Sequence, residues 1–318
     1  MNIVVLDGHT LNPGDNPWTE LEKLGKVTVY DRTPSAQILE RARDADILLT
    51  NKTPLNAETL AQLEKLKFIA VLATGYNVVD VAAAANQGVP VCNVQVYSTK
   101  TVAQHAFALI LELCDHVGLH DTSVREGEWT RCPDFCYWKA PVLELDGKVL
   151  GIIGGGRIGQ AVGAIGRAFG MDVWITPSRS RPAVTQPGWS VKTVEEIFRE
   201  ADVISLHCPQ TATNSGFVNR VLLATMKPTA LLINTARGGL IVEEDLAEAL
   251  QKGVLAGAAV DVVSSEPIRA DNPLLRAPHC LITPHIAWSS LPARQRLTAV
   301  STANVRGFLE GKITNRVN

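Results

Sequence analysis

One stretch, VLGIIGGGRIG at residues 149–159, limits what this chain can fold into more than any other. A short apolar run ends there in glycines that fit the pattern G-x-G-x-x-G at Gly154, Gly156 and Gly159. In that pattern the first glycine permits a tight turn, the second lets a pyrophosphate approach the backbone, and the third lets a helix pack closely on the strand. The stretch therefore predicts a buried strand that turns sharply into a helix.

The residues after the glycine motif decide whether it belongs to a dinucleotide site, because glycine-rich turns are common. Apolar residues recur there at helical spacing and end at a glycine, which indicates an amphipathic helix. A second apolar run, residues 173–175, indicates another strand. This β-α-β arrangement is the context that a dinucleotide-binding site requires. The helical pattern consists of Ile158, Val162, Ile165 and Phe169, followed by Gly170.

Short apolar runs alternate with helical segments along the whole chain, and this alternation is typical of parallel α/β sheets. The 318 residues are enough for two such domains. A long helical pattern begins at Thr99 and runs to Leu119, so we place the boundary just before it. We predict an α/β fold with two doubly wound parallel-sheet domains. The first is residues 1–98, completed by a terminal helix within 288–318, and the second is residues 99–287, which carry the glycine motif.

The balance of charges argues against nucleic-acid and membrane partners. Thirty basic and thirty-two acidic side chains give a net charge of −2, which provides no strong field to hold a polyanion or an anionic membrane. No apolar stretch reaches the ~18 residues that a membrane span needs, and the sequence starts without a basic leader-like segment. We therefore expect a cytoplasmic protein whose partner is a small molecule.

Six cysteines are scattered along the chain without the density of a disulfide scaffold, so we expect reduced thiols. One group of residues has ligand types that suit zinc: His116 and His120 are four residues apart in a helical pattern, and Cys132 and Cys136 follow. Their Cys-x₃-Cys spacing is unusual for zinc, and the sequence supplies no clear third partner for the histidines. We therefore predict no metal site and interpret these residues as packing and capping positions.

The residues after the second strand of the β-α-β unit bear on which dinucleotide is bound. Sites for NAD place a carboxylate about 20 residues beyond the glycines, where it accepts the ribose hydroxyls. This chain instead has TPSRSR at residues 176–181. Ser178, with Arg179 or Arg181, could hold a 2′-phosphate through charge-assisted hydrogen bonds. We predict NADP as the favoured cofactor, with NAD, or a basic loop without a ligand, as the alternatives.

Three polar clusters follow predicted strands at their carboxyl ends, where ligands bind in doubly wound sheets. They contain Arg237, then Asp261 with Glu266, then His285. An arginine can bind a substrate carboxylate through two hydrogen bonds and polarise the adjacent carbonyl. A histidine, with an ordinary pKa of about 6.5, can exchange the proton of a carbinol, and a neighbouring glutamate favours its imidazolium form. Each residue alone also has a structural interpretation, as a surface arginine, a turn or a packed histidine.

Five segments of the sequence, in this order and spacing, resemble the D-isomer-specific 2-hydroxyacid dehydrogenase family. The resemblance covers essentially the whole chain. It implies a flavodoxin-like substrate domain at residues 1–98, a Rossmann cofactor domain at residues 99–287, and hydride transfer between a nicotinamide and a short 2-keto acid. The segments are LGIIGGGRIG at 150–159, HCP at 207–209, NTARGGLI at 234–241, AAVDVVSSEP at 258–267 and TPHIAW at 283–288.

The resemblance also implies roles for individual residues. Arg237 binds the substrate, Glu266 tunes the histidine, and His285 transfers the proton. The loop at Thr74 and Gly75 resembles the family's loop whose backbone N–H groups meet the substrate carboxylate. The cofactor contacts are Asp261, as the partner of the nicotinamide carboxamide, and Thr101, Gly154, Gly156, Arg157, Ile158, Gly159, Ser178, Arg179, Arg181, Cys208, Pro209, Thr235 and Ala236.

Within the family, HIAW and the overall pattern most resemble the glycerate dehydrogenases, which reduce hydroxypyruvate to D-glycerate and often glyoxylate to glycolate. The resemblance also implies a homodimer. Two alternatives stay open: another 2-keto acid as the substrate, and a regulatory protein that senses nicotinamide dinucleotides on the same scaffold. The chain departs from the family pattern at Gln104, where a glutamate is usual, and at Gly155, where a bulkier apolar residue is usual.

Overall fold

The structure is a computed structural model that describes residues 1–177, 186 and 188–318. Its strands are β1 (Asn2–Val5), β2 (Lys26–Val29), β3 (Ile47–Thr50), β4 (Phe68–Val71), β5 (Val91–Cys92), β6 (Val149–Ile153), β7 (Asp172–Ile175), β8 (Trp189–Val191), β9 (Val203–Leu206), β10 (Leu231–Asn234), β11 (Gly257–Val260) and β12 (Cys280–Ile282). Its α-helices are α1 (Thr19–Glu22), α2 (Ile38–Ala42), α3 (Ala57–Ala61), α4 (Val81–Asn86), α5 (Thr99–Asp115), α6 (Val117–Arg125), α7 (Arg157–Ala168), α8 (Val194–Glu200), α9 (Arg220–Leu223), α10 (Glu243–Gln251) and α11 (Leu291–Leu309). Short 3-10 helices lie at Ser35–Gln37, Trp129–Arg131, Gly238–Leu240 and Pro273–Arg276.

The chain divides into two compact units. The first contains Met1–Ser98 and Trp288–Asn318, and the second contains Thr99–Ala287. Each unit has its own sheet, and every strand pairing between the described strands is parallel. The predicted α/β class, with two doubly wound parallel sheets, is confirmed.

The first unit has a five-stranded sheet in the order β2-β1-β3-β4-β5, which is the flavodoxin-like order. Strands β3 and β4 are buried along their full length, because helices cover both faces of a parallel sheet. The C-terminal helix α11 belongs to this unit. Its Phe308 ring stacks on Phe68 of β4 with the ring centroids 4.7 Å apart, so the end of the chain contributes to the core of the first unit.

The second unit has a seven-stranded sheet in the order β12-β11-β10-β9-β6-β7-β8, which is the Rossmann order with one further strand. The direction of winding reverses between β6 and β9. Ligands of such sheets bind outside the carboxyl ends of the strands at this reversal. The glycine motif follows β6 and the HCP segment follows β9, so both predicted cofactor segments lie at the reversal.

Two local features differ from the sequence-based expectation. The helical pattern from Thr99 to Leu119 is broken at His116, whose φ of 49° is left-handed and cannot continue a helix. Neither glycine nor proline signals this break. Strand β8 was also not predicted, because it has three residues and only Trp189 among them is buried. Its side chains give too short a pattern to recognise.

Candidate active site

The glycine motif forms the tight strand-to-helix turn that was predicted. Gly154 has a φ of 110°, and a β-carbon there would lie 2.7 Å from backbone atoms of His207 and Cys208. A β-carbon on Gly159 would lie 2.2 Å from the carbonyl oxygen of Gly154. Gly156, in contrast, has open space where a side chain would point. The turn is therefore packed on its inner side and open at the position where a phosphate would approach.

The start of α7 presents backbone donors at this turn. Gly156 is the N-cap residue, and no side chain caps the helix among the described residues. Thr176, at the end of β7, fixes the turn from behind: its hydroxyl accepts a hydrogen bond from the Gly154 N–H at 2.8 Å, and its carbonyl accepts one from the Gly155 N–H at 3.0 Å. An uncapped helix start of this kind favours an anion. The local geometry therefore fits the pyrophosphate of a dinucleotide.

The other predicted cofactor residues lie around the same end of the sheet. Thr235 follows β10, and its hydroxyl is buried without a hydrogen-bond partner in the described part of the chain. A buried polar atom of this kind needs a partner, so it also fits a bound ligand. Ser178, Arg179 and Arg181 lie outside the described residues. Thr101 lies in the first turn of α5, Arg157 and Ile158 begin α7, Cys208 and Pro209 follow β9, and Ala236 follows Thr235.

His285 and Glu266 form a hydrogen-bonded pair. The Nδ1 atom of His285 lies 2.7 Å from Oε2 of Glu266, and the two side chains are 29% and 33% exposed. The backbone of His285 is left-handed, with a φ of 54°, and its N–H donates to the carbonyl oxygens of Asp261 and Thr283. Because Glu266 occupies Nδ1, the other ring nitrogen, Nε2, is the one that can exchange a proton with a substrate.

Asp261 holds the segment that carries His285. Its carboxylate is 1% exposed and accepts hydrogen bonds from the Thr283 hydroxyl at 2.6 Å and from the N–H groups of Ile286 and Ala287, both at 2.9 Å. Burial by itself raises the pKa of Asp261, but hydrogen bonds from His105, Thr283 and these N–H groups outweigh it and hold the pKa below its usual range. Asp261 is therefore ionised and fixes the turn around His285.

Arg237 lies on an exposed loop just after β10. Buried Asn234, the last residue of β10, holds this loop: its amide group donates to the Arg237 carbonyl at 2.9 Å and accepts from the Ala236 N–H at 3.0 Å. The Arg237 guanidinium donates to the Ala236 carbonyl at 2.6 Å. Sequence reasoning did not assign a role to Asn234, although an amide directly after an apolar run is a signal for such a turn.

The loops that carry Arg237 and Glu266 touch through their backbones. A β-carbon on Gly238 would lie 1.9 Å from the carbonyl carbon of Val263, so only glycine allows this approach. Strands β10, β11 and β12 are neighbours in the sheet, and each of the three loops leaves from a carboxyl end. The structure thus brings the loops of Arg237, Glu266 and His285 to one edge of the second unit.

Thr74 and Gly75 belong to the first unit, where they follow β4. The Thr74 hydroxyl donates to the Val94 carbonyl at 2.7 Å, and the Thr74 carbonyl accepts from the side chain of Asn93 at 2.7 Å. These bonds fix the loop while using the hydroxyl and the carbonyl of Thr74. The structure therefore places the two residues at the carboxyl edge of their own sheet, and their predicted contact with a substrate stays a prediction.

The group of residues that suited zinc is used in contacts within the chain. His120 places Nδ1 2.8 Å from the His116 carbonyl oxygen, and its Nε2 accepts from the Lys139 N–H at 3.1 Å. The described residues contain no cluster of three or more histidine, cysteine, aspartate or glutamate side chains arranged to hold a metal. All six cysteines lie in the described ranges as free thiols. Burial raises the pKa of Cys92 and Cys114 to about 11 and that of Cys280 to about 12.

Among the helices described, none is both long enough and apolar enough to span a membrane.

The histidine of the HCP segment, His207, is paired within the chain. Its Nε2 atom lies 2.8 Å from the Ser205 hydroxyl, and burial lowers its pKa to about 3. His207 is therefore neutral at physiological pH, and a structural role explains it.

Comparison with known proteins identifies the family. Residues 107–287, more than half of the chain, match the model of the D-isomer specific 2-hydroxyacid dehydrogenase, NAD binding domain. The chain belongs to the D-isomer-specific 2-hydroxyacid dehydrogenase family. Members of this family are oxidoreductases that act on CH–OH groups with a nicotinamide cofactor, so the predicted family and enzyme class are confirmed.

Several relatives in this family match almost all of the chain. A hydroxypyruvate reductase from Blautia hydrogenotrophica is 48% identical over 321 residues, which covers 100% of both chains. A glycerate dehydrogenase from Methylorubrum extorquens is 40% identical over 283 residues, 88% of each chain. Among solved structures, an acyclic imino acid reductase in complex with NADPH and D-Arg has a TM-score of 0.87 and 29% identity, and the match covers 100% of both chains.

Proposed function

We propose that this chain is an NAD(P)-dependent reductase of hydroxypyruvate and glyoxylate, which it converts to D-glycerate and glycolate. The observation that carries the proposal is the 2.7 Å contact between His285 and Glu266 at the carboxyl edge of a dinucleotide-binding sheet. The names of the relatives at 48% and 40% identity support the choice of hydroxypyruvate. These relatives are enzymes, which favours catalysis over a nucleotide-sensing regulator.

Each residue of the proposed site performs one step. Arg237 hydrogen-bonds the carboxylate of the 2-keto acid and so orients its keto carbon. The reduced nicotinamide, when bound, supplies the hydride to that carbon. His285 donates its Nε2 proton to the carbonyl oxygen as this oxygen becomes the hydroxyl. The carboxylate of Glu266 on Nδ1 stabilises the imidazolium form until the proton leaves.

Changing Glu266 to glutamine is expected to narrow the pH range of the reaction. Reduction requires protonated His285, and removal of a negative charge 2.7 Å from Nδ1 disfavours the imidazolium form. The alkaline limb of kcat/KM for hydroxypyruvate should therefore move to lower pH. Glu244→Gln, at an exposed glutamate of α10, is the control and should leave the profile in place. An unmoved alkaline limb in Glu266→Gln would contradict the role of this carboxylate.

The proposed substrate is tested by a panel of 2-keto acids. Steady-state rates for hydroxypyruvate, glyoxylate, pyruvate and 2-ketogluconate should give the highest kcat/KM for hydroxypyruvate. Turnover at ordinary enzyme rates, of roughly 1 to 1000 per second, separates an enzyme from a regulatory protein that only binds the dinucleotide. If the chain bound NADPH but turned over none of the four acids, the proposed function would be wrong.

We also propose that NADP is preferred over NAD. The reason lies in the sequence, since Ser178, Arg179 and Arg181 stand where sites for NAD carry a carboxylate. The NADPH in the imino acid reductase gives further support from a relative of the same fold. With hydroxypyruvate, kcat/KM should be about tenfold or more higher for NADPH than for NADH. The double variant Arg179→Ala/Arg181→Ala should lose this preference while Arg276→Ala keeps it, and equal use of NADH by the unchanged chain would reverse the assignment.

We further propose that the chain forms a homodimer through the second unit. Exposed apolar side chains of α6 and the following loop line one cavity of about 510 Å³, among them Val117, Val124, Trp138 and Val142. Monomeric proteins rarely expose such groups together. Sedimentation velocity should show a species of two chains, and a Trp138→Glu variant should shift this species toward a single chain. A monomer at all concentrations would contradict the proposed dimer.

The cytoplasmic location stays a prediction.

A further inference from the structure

The segment that carries Glu266 has no regular secondary structure of its own. It leaves β11 at Val260 and reaches the next short helix only at Pro273. Within the segment, the Val263 N–H is 3.4 Å from Oε1 of Glu266, which is too long to be a strong hydrogen bond. The 2.7 Å distance between Glu266 and His285 also depends on the anchor that holds this segment to the rest of the unit.

Glu243, the first residue of α10, supplies that anchor. Its carboxylate is 7% exposed. Oε1 accepts from the Ser264 N–H at 2.6 Å, and Oε2 accepts from the Ser264 hydroxyl at 2.7 Å and from the side-chain amide of Asn272 at 2.9 Å. These three bonds fix the segment on both sides of Glu266, two residues before it and six residues after it.

The chemistry of these contacts requires a carboxylate. All three partners of Glu243 donate, and an ionised carboxylate only accepts. A glutamine would have the same size, but its amide nitrogen would face a donor, so at least one bond would be lost. Hydrogen bonds to a carboxylate are charge-assisted and stronger than those to a neutral acceptor. The Gly238 backbone also packs against the backbone of Val263 and Ser264, which holds the start of the segment next to the Arg237 loop.

We infer that Glu243 is a positioning residue for the reaction: it holds Ser264 and Asn272, and through them it sets the distance between Glu266 and His285. The inference rests on the proposed function, because it takes the Glu266–His285 pair to be the proton-donating machinery. Glu243 hydrogen-bonds Ser264 and Asn272, so its effect passes through the loop that carries Glu266. It is expected to change the protonation of His285 without changing how the substrate is bound.

The test is Glu243→Gln, measured beside Asp202→Asn. Asp202 precedes β9 at the amino-terminal ends of the strands of the same sheet, away from the site. There its carboxylate accepts from the Val149 N–H at 2.8 Å and from Lys227 at 2.9 Å. The control therefore also converts a structural carboxylate to an amide. In Glu243→Gln, kcat for hydroxypyruvate should fall by about 10- to 100-fold, because misplaced catalytic groups cost rates of that order. The alkaline limb of the pH profile of kcat/KM for Glu243→Gln should also move to lower pH, while its KM for hydroxypyruvate stays near that of the unchanged chain. Asp202→Asn should lower only the thermal midpoint.

A second comparison shows whether Glu243 acts through Glu266. In a chain that already carries Glu266→Gln, adding Glu243→Gln should move the pH profile no further, since coupled residues are not additive. Ser264→Ala, which removes only the hydroxyl contact, gives a milder variant if Glu243→Gln does not fold. The inference would be wrong if neither Glu243→Gln nor Ser264→Ala moved the pH profile. It would also be wrong if Glu243→Gln moved the profile equally with and without Glu266→Gln.

A measurement without turnover separates this inference from the proposed function. Histidine ring signals of the ligand-free protein can be titrated by NMR, and the signal absent from the His285→Asn spectrum is that of His285. Glu243→Gln should move its titration midpoint to lower pH, whatever the substrate is. A moved midpoint in a chain that reduces no 2-keto acid would uphold the positioning role and reject the proposed function. If the midpoint did not move in a chain that reduces hydroxypyruvate, the positioning role of Glu243 would be wrong and the proposed function would stand.

Discussion

Replacement of His285 by asparagine is expected to lower kcat for hydroxypyruvate reduction by about 10²- to 10⁴-fold, which is the range that general acid catalysis contributes. The side-chain amide of asparagine is too weak an acid to transfer a proton to the substrate at neutral pH. It is the right substitution because the φ of His285 is 54°, and asparagine adopts this left-handed conformation more readily than alanine. The loss of rate can then be assigned to the missing imidazole, since the turn that Asp261 holds should keep its shape.

A matched control for this variant exists in the same unit. His279 is also a histidine with a left-handed backbone, with a φ of 55°, and it lies before β12 rather than after it. His279→Asn should therefore leave kcat unchanged. Binding of NADPH, measured by fluorescence titration, should stay close to that of the unchanged chain in both variants. If His285→Asn instead lost cofactor affinity at normal kcat, proton transfer would have to be assigned to another group.

The fold could be predicted because buried parallel strands are written in the sequence as short apolar runs separated by helical segments. Strands such as β3 and β4 are buried on both faces, so their residues are apolar throughout. The break at His116 could not be predicted in this way. It depends on a left-handed backbone at a histidine, a residue type that does not signal this conformation as glycine does.

The site shows the same division between local and distant information. Arg237, Glu266 and His285 could be proposed because each follows a recognisable strand, and parallel strands bring their carboxyl ends to one edge. Asp261 was read only as a cofactor contact, but its carboxylate accepts from groups 22 to 26 residues away. Glu243 stands in the first turn of α10, where the helix dipole favours any acid, so its position alone does not indicate the contacts it makes. Contacts between segments far apart in sequence give both residues their structural roles.

Replacement of Arg237 by alanine is expected to raise KM for hydroxypyruvate by about 10- to 100-fold, because hydrogen bonds to a charged group contribute roughly 1.5–3 kcal/mol. Arg237→Lys should fall between alanine and the unchanged chain. Lysine keeps the charge but cannot form the two parallel hydrogen bonds of a guanidinium with a carboxylate. The Asn234 side chain holds the loop through backbone atoms of Ala236 and Arg237, so the loop should keep its shape in both variants.

A substrate without the carboxylate shows whether the loss comes from that group. Hydroxyacetone carries a methyl group where hydroxypyruvate has its carboxylate, so the unchanged enzyme should prefer hydroxypyruvate strongly. In Arg237→Ala the ratio of the two kcat/KM values should collapse by about 10- to 100-fold, because only the acid loses a partner. Arg199→Ala, at an exposed arginine of α8 that pairs with Glu200, should keep the ratio. If the ratio persisted in Arg237→Ala, the carboxylate would be bound by other groups, and the role assigned to Arg237 would be wrong.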